Sequence, residues 1–133
     1  MKIAVLTLLV IVLYSAMATA QTPREIAEIW DKEHISRIFP SDVRHKDLLV
    51  YLEQLKKLGL KVEEVGRSNA NREIFQAEFG TGPTKVFMWS QMHGDEPTAT
   101  STVMDMLAFL QNNRKKLKWV ETLEKSVTLR VIP

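Results

Sequence analysis

His93 and Glu96 stand three residues apart in Met92-His93-Gly94-Asp95-Glu96-Pro97, directly after the apolar run Val86-Phe87-Met88-Trp89. Neutral imidazole nitrogen and carboxylate oxygen are both zinc donors, at about 2.0–2.2 Å, and two of them on one short turn can converge on one ion. Gly94 is expected to let the turn bend sharply. Pro97 should fix the start of a following helix and leave Glu96 at the cap position, with Asp95 better suited to capping than to metal binding. Spacing alone leaves a second reading open, because H-x-x-E also suits a helix-capping turn with a surface histidine. The context favours metal: an apolar strand before, a glycine inside, a proline after and a helix following. Catalytic zinc takes three protein ligands, and no histidine follows His93. The third ligand is therefore expected beyond Pro133, in a larger enzyme of which this is the front part.

The elements that must position this pair follow from periodicity. Thr22-Pro23-Arg24-Glu25 reads as the boxed start of a helix that carries Ile26, Ile29 and Trp30 on one face. Leu48, Leu52 and Leu55 recur at helical spacing until Gly59 stops the helix. Residues 60–65 and 74–79 read as strands on either side of the turn Ser68-Asn69-Ala70-Asn71, with Phe75, Ala77 and Phe79 on one side. After Gly80-Thr81-Gly82-Pro83, residues 86–91 read as the central strand. A helix over 97–112 should turn Val103, Met106, Leu107 and Leu110 inward, Leu117, Val120 and Leu123 mark a shorter one, and residues 127–132 alternate as a last strand. Short turns should pair the first three strands antiparallel, and the long helical crossover should make the last pair parallel. The last strand is expected to lack a partner on one side. The class is α/β, a mixed parallel and antiparallel sheet flanked by helices, with His93 and Glu96 at the carboxyl end of a strand, where the active sites of such sheets gather.

The chain start is of another kind. Met1-Lys2, an almost purely apolar stretch over 3–14 and Ala18-Thr19-Ala20 form a signal peptide over residues 1–20, with cleavage before Gln21. The apolar stretch is short for a membrane span, so no stable membrane insertion is expected after cleavage and the protein should be secreted or periplasmic. An N-terminal helical segment over 21–45 and a domain segment over 46–133 remain. With no cysteine there is no disulfide framework, and a net charge of +2 is too small to point to nucleic acid as a partner. His34 and His45 read as surface or packing histidines, Trp89 as core or pocket wall, and Met88, Met92, Met104 and Met106 as packing residues. Arg114-Lys115-Lys116-Leu117-Lys118 reads as a solvated face after a helix end.

Met92-His93-Gly94-Asp95-Glu96-Pro97-Thr98 resembles the first zinc-ligand motif of the zinc metallocarboxypeptidases, the family of pancreatic carboxypeptidase A, where a strand ends in H-G-[ND]-E-P or similar. Val65-Gly66-Arg67-Ser68 with Arg72-Glu73-Ile74 resembles the family's G-x-S-x-x-G-R-x-I segment, with Ala70-Asn71 in place of the usual glycine. The resemblance runs over residues 45 to 133. It implies a carboxypeptidase-like fold, Zn2+ as cofactor, His93 and Glu96 as two of its three ligands, and peptide or protein C-termini as substrate. It places the third ligand, the general-base glutamate and the substrate-binding residues beyond Pro133. The implied activity is that of a secreted zinc-dependent metallocarboxypeptidase, a hydrolase removing C-terminal residues, with this part inactive alone. A zinc-dependent deacylase of N-acyl amino acids and a non-catalytic binding module remain alternatives.

Overall fold

A computed structural model describes residues 21–133. The expected signal peptide over residues 1–20 lies outside them. The chain divides into two units, Met1–Asp31 and Lys32–Pro133. Helix α1, Pro23–Glu33, begins as its sequence requires. The Thr22 amide donates to the Glu25 carboxylate at 2.7 Å, and the Glu25 amide donates to the Thr22 hydroxyl at 3.3 Å, the two halves of a capping box.

In the second unit a 3-10 turn, Pro40–Asp42, leads into helix α2, His45–Lys57. Strands β1 (Lys61–Arg67), β2 (Glu73–Phe79) and β3 (Thr84–Trp89) follow, then helices α3 (Thr98–Asn113) and α4 (Lys118–Ser126), and strand β4 (Val127–Ile132). Gly59 takes φ +93°, the left-handed conformation that ends α2 and turns the chain into β1. The sheet order is β1-β2-β4-β3. β1 runs antiparallel to β2, β2 antiparallel to β4, and β3 parallel to β4.

The mixed α/β sheet and the parallel β3–β4 pair match the sequence reading. The partners of β2 and β3 do not. A short connection joins these strands, yet β4 lies between them, so β3 is an edge strand among the described residues and β4 is paired on both sides. The reason lies in Gly80-Thr81-Gly82-Pro83. Instead of closing a hairpin, this segment bonds to the α4–β4 junction: the Thr81 amide donates to the Glu124 carbonyl at 2.8 Å and the Gly82 amide to the Val127 carbonyl at 3.0 Å. The Gly82 carbonyl in turn accepts from the Thr128 hydroxyl at 2.8 Å and the Lys85 ammonium at 3.0 Å. A Cβ on Gly82 would fall 2.0 Å from the Ser126 carbonyl carbon, so only glycine allows the two backbones to cross this closely.

Side chains paired across strands share a sheet face. The row Val62, Ala77, Val131, Met88 faces the core, with Ala77 and Val131 fully buried. Leu52, Leu55, Met104, Leu107 and Val120 from the three helices complete that core. The inward face of α3 is rotated from the expected stripe. Leu107 and Leu110 are buried as expected, but Met104 and Ala108 join them, while Val103 and Met106 are only partly covered. Buried Asp105 drives part of this rotation, because its carboxylate accepts the amides of Ile35 and Ser36 at 2.8 and 2.9 Å and so ties that loop to the helix. The opposite sheet face carries Lys61, Glu78, Arg130 and Phe87 in register. Trp89, expected in the core or a pocket wall, is 54% exposed on that face beside Phe87, with ring centroids 5.6 Å apart. Met92 is also exposed, leaving Met104 as the fully buried methionine of the four.

Candidate metal-binding turn

Strand β3 ends at Trp89 and helix α3 begins at Thr98, and the segment between them carries His93 and Glu96. The Ser90 amide continues the parallel pairing by donating to the Ile132 carbonyl at 3.0 Å. Gln91 then turns the chain away from the sheet with φ +51°. This is the left-handed region, which non-glycine residues occupy only when their surroundings hold them there. The sequence suggested Gly94 for this bend. Its φ is not positive, and an added Cβ would meet nothing within 4 Å.

A backbone turn follows, closed by the Glu96 amide donating to the His93 carbonyl at 3.1 Å. It brings His93 Nδ1 within 3.5 Å of Glu96 Oε2, with both side chains about 70% exposed. Helix α3 starts one residue later than expected: Pro97 is its N-cap and no side chain caps it, so neither Asp95 nor Glu96 fills that role. Proline suits the place because it has no amide hydrogen to satisfy, and the Thr100 and Ser101 amides donate to its carbonyl at 3.1 and 3.3 Å.

The turn borders an open cavity of about 870 Å³ whose wall includes Arg44, His45, Ser68, Arg72, Gln91 and Asp95. His45 contributes through a ring nitrogen, Nε2, 3.1 Å from the Glu73 carbonyl, which fastens the start of α2 to β2. Arg72 belongs to the β1–β2 turn, where its amide donates to the Ser68 hydroxyl at 3.1 Å. Asn71 in that turn has φ +57°. Asparagine tolerates this conformation, which accounts for its standing where the resembling motif has glycine. On the same wall Glu73 has its carboxyl held below the usual range, first by its own backbone amide and then by the Arg67 guanidinium.

The sequence reading missed Ser90, Gln91 and Thr100. The Thr100 hydroxyl lies 2.9 Å from that of Ser90 and donates to the Gln91 side-chain oxygen at 3.0 Å, and the Gln91 amide group donates to the Gly94 carbonyl at 2.8 Å. The available signal was a polar pair closing an apolar strand, followed by a hydroxyl on the inward side of the next helix.

Two ligands at about 2.0–2.2 Å on a tetrahedral ion stand about 3.4 Å from each other. The 3.5 Å between His93 Nδ1 and Glu96 Oε2 matches that edge, so the pair fits zinc in both donor type and spacing. Among the described residues, no three His, Cys, Asp or Glu side chains come together in a group able to hold a metal. No helix among them is long and apolar enough to cross a membrane.

No family model matches the chain, and no curated protein matches it in sequence. Solved structures do match. One, from Burkholderia mallei ATCC 23344, is provisionally described as a carboxypeptidase; it superposes with a TM-score of 0.61 at 18% identity, over 68% of this chain and 25% of its own. A metallo-carboxypeptidase from Burkholderia cenocepacia gives a TM-score of 0.58 at 20% identity, over 68% of this chain and 26% of its own. The chain thus spans about a quarter of the length of each neighbour. With its mixed four-stranded sheet and flanking helices, this chain has a carboxypeptidase-like fold.

Proposed function

We propose that this chain supplies the first two zinc ligands, His93 and Glu96, of an exported metallocarboxypeptidase that removes C-terminal residues from peptides. The observation that carries the reading is the 3.5 Å pairing of His93 Nδ1 with Glu96 Oε2 beyond the carboxyl end of β3, in a fold shared with a metallo-carboxypeptidase. Open α/β sheets bind their ligands at this end of the strands. A zinc ion held there supplies Lewis acidity toward a peptide carbonyl and toward the hydrolytic water. The chain's own residues do the rest of the work on view: the turn presents both donors to solvent, and the adjoining cavity gives an extended peptide room beside them. This reading takes the third ligand and the general base from polypeptide outside the described residues, and export from residues 1–20.

The test is hydrolysis by the longer protein. Purified with zinc, it should release C-terminal amino acids from peptides, lose that activity to a chelator, and lose it on His93→Ala or Glu96→Ala. Peptide release that survives both a chelator and His93→Ala would overturn the reading. Zinc-dependent release of free amino acid from N-acyl amino acids, with peptides untouched, would replace it with the deacylase reading.

A further inference from the structure

The candidate ligands sit on an exposed segment that no packing of their own side chains could hold in place, and its fixed points lie at its base. Thr100 is 1% exposed on the first turn of α3, and its hydroxyl reaches back across ten residues to Ser90, the residue that follows β3. A threonine hydroxyl has one proton to donate and can accept as well. That proton goes to the Gln91 side-chain oxygen, so the contact between the two hydroxyls is one in which Ser90 donates to Thr100. The Gln91 amide group then reaches into the turn and donates to the Gly94 carbonyl. Ser90 is itself anchored to β4 through the Ile132 carbonyl. An unbroken hydrogen-bonded chain therefore runs from the sheet, through the helix start, to the peptide between His93 and Glu96. It also accounts for the left-handed backbone of Gln91, which holds that residue's side chain over the turn.

We propose that Thr100 is a positioning residue, which, through Ser90 and Gln91, closes the base of the loop and sets the spacing of the His93 and Glu96 donors. It touches neither donor and acts through Gln91. The inference rests on the metal reading of that pair, and the experiment keeps the two apart. The longer protein, without residues 1–20, is titrated with Co2+ alone, followed by visible absorption and by broadening of the His93 ring signals. Amide hydrogen exchange at Gly94 and Glu96 is measured on the metal-free protein. The variants are Thr100→Val, which keeps the shape and removes the hydroxyl, Thr100→Ser, which keeps the hydroxyl, and His93→Ala.

Supporting residues of metal ligands are worth about 10–100-fold in affinity. Because Thr100 bonds to neither ligand, Thr100→Val should weaken Co2+ binding by about tenfold, the lower end of that range, and speed exchange at Gly94 and Glu96, while Thr100→Ser should restore both. Where His93→Ala weakens Co2+ binding, equal Co2+ affinity in wild type and Thr100→Val would overturn the proposal, as would equal losses in the Val and Ser variants that track their melting temperatures. If His93→Ala binds Co2+ as wild type does, the metal reading of the pair fails. Exchange then decides the positioning role by itself, with unchanged protection in Thr100→Val against it and lost protection rescued by Thr100→Ser for it.

Discussion

Two neighbouring rows of the same sheet meet opposite environments. Val62, Ala77, Val131 and Met88 face the helices, and the two central members are fully buried. One residue along each strand, Lys61, Glu78, Arg130 and Phe87 face away, and Phe87 is 55% exposed. The outer row is charged at one end, where the Arg130 guanidinium meets the Glu78 carboxylate at 3.0 Å, and aromatic at the other, where the Phe87 ring lies tilted beside Trp89. Burial in this unit is thus decided by one face of the sheet. The strand that leads into the candidate ligands, β3, is fastened on its inner side and along one edge, while its outer side and its other edge face solvent among the described residues. A site built on such a strand inherits rigidity from the core side and access from the open side.

The comparison breaks first, and most heavily, in the covered face. Leu107→Ala removes a fully buried side chain from the helix over the sheet and should cost about 2–5 kcal/mol, read as a lower midpoint in urea unfolding at unchanged slope. A loss below about 1 kcal/mol would mean that this face is not the stabilising core. Gly82→Ala attacks the crossing that inserts β4 between β2 and β3. Its new Cβ would meet backbone rather than a movable side chain, so a cost of about 1–3 kcal/mol or more is expected. A neutral result in the same unfolding measurement would show that the crossing can relax.

The open face should respond far less. Trp89→Ala removes a side chain more than half exposed, and substitutions of that kind fall within about 0.5 kcal/mol of neutral. A large destabilisation would mean that something covers this face in solution, and an unchanged melting temperature would sharpen the contrast. The smallest effect concerns helix α4. The Glu121 carboxyl is lowered from an ordinary 4.5 to about 2, first by the hydrogen bond from Lys125 and then by that from Lys118. Because the folded value lies below the unfolded one, the contribution is present above about 4.5 and is lost as pH falls through about 2. The pairs are exposed and should weaken with salt. Carboxyl NMR of Glu121 checks this directly, and a midpoint near the ordinary value would remove the claim.

Much of the fold was legible because local rules were obeyed. The capping box of Thr22 and Glu25, the stop at Gly59 and the parallel β3–β4 crossover all follow from residue type and connection length. The errors share one cause. β3 was expected at the centre of the sheet, in a hairpin with β2, because adjacent strands on a short connection usually pair. The amides that would close the hairpin are instead taken by the α4–β4 junction more than forty residues on. Likewise β4, expected to be half-paired, is flanked on both sides. Trp89 was expected inside because apolar runs usually mark buried strands, yet an edge strand with one uncovered face leaves alternate apolar residues in solvent.

For the candidate site, the sequence by itself determined the candidate donors and their spacing. An imidazole and a carboxylate three residues apart, between a strand and a proline-started helix, are properties of residue order, and so is their place at a carboxyl strand end. Tertiary structure decided how the turn is held. The bend falls on Gln91 rather than Gly94, and the hydroxyl that pins it comes from Thr100, on the far side of the loop. Residue order cannot reveal this, because the bond exists only once α3 has docked on the sheet and buried Thr100 beside Ser90. Docking of that kind is governed by the apolar surface of the whole unit, and the turn adopts the shape left to it.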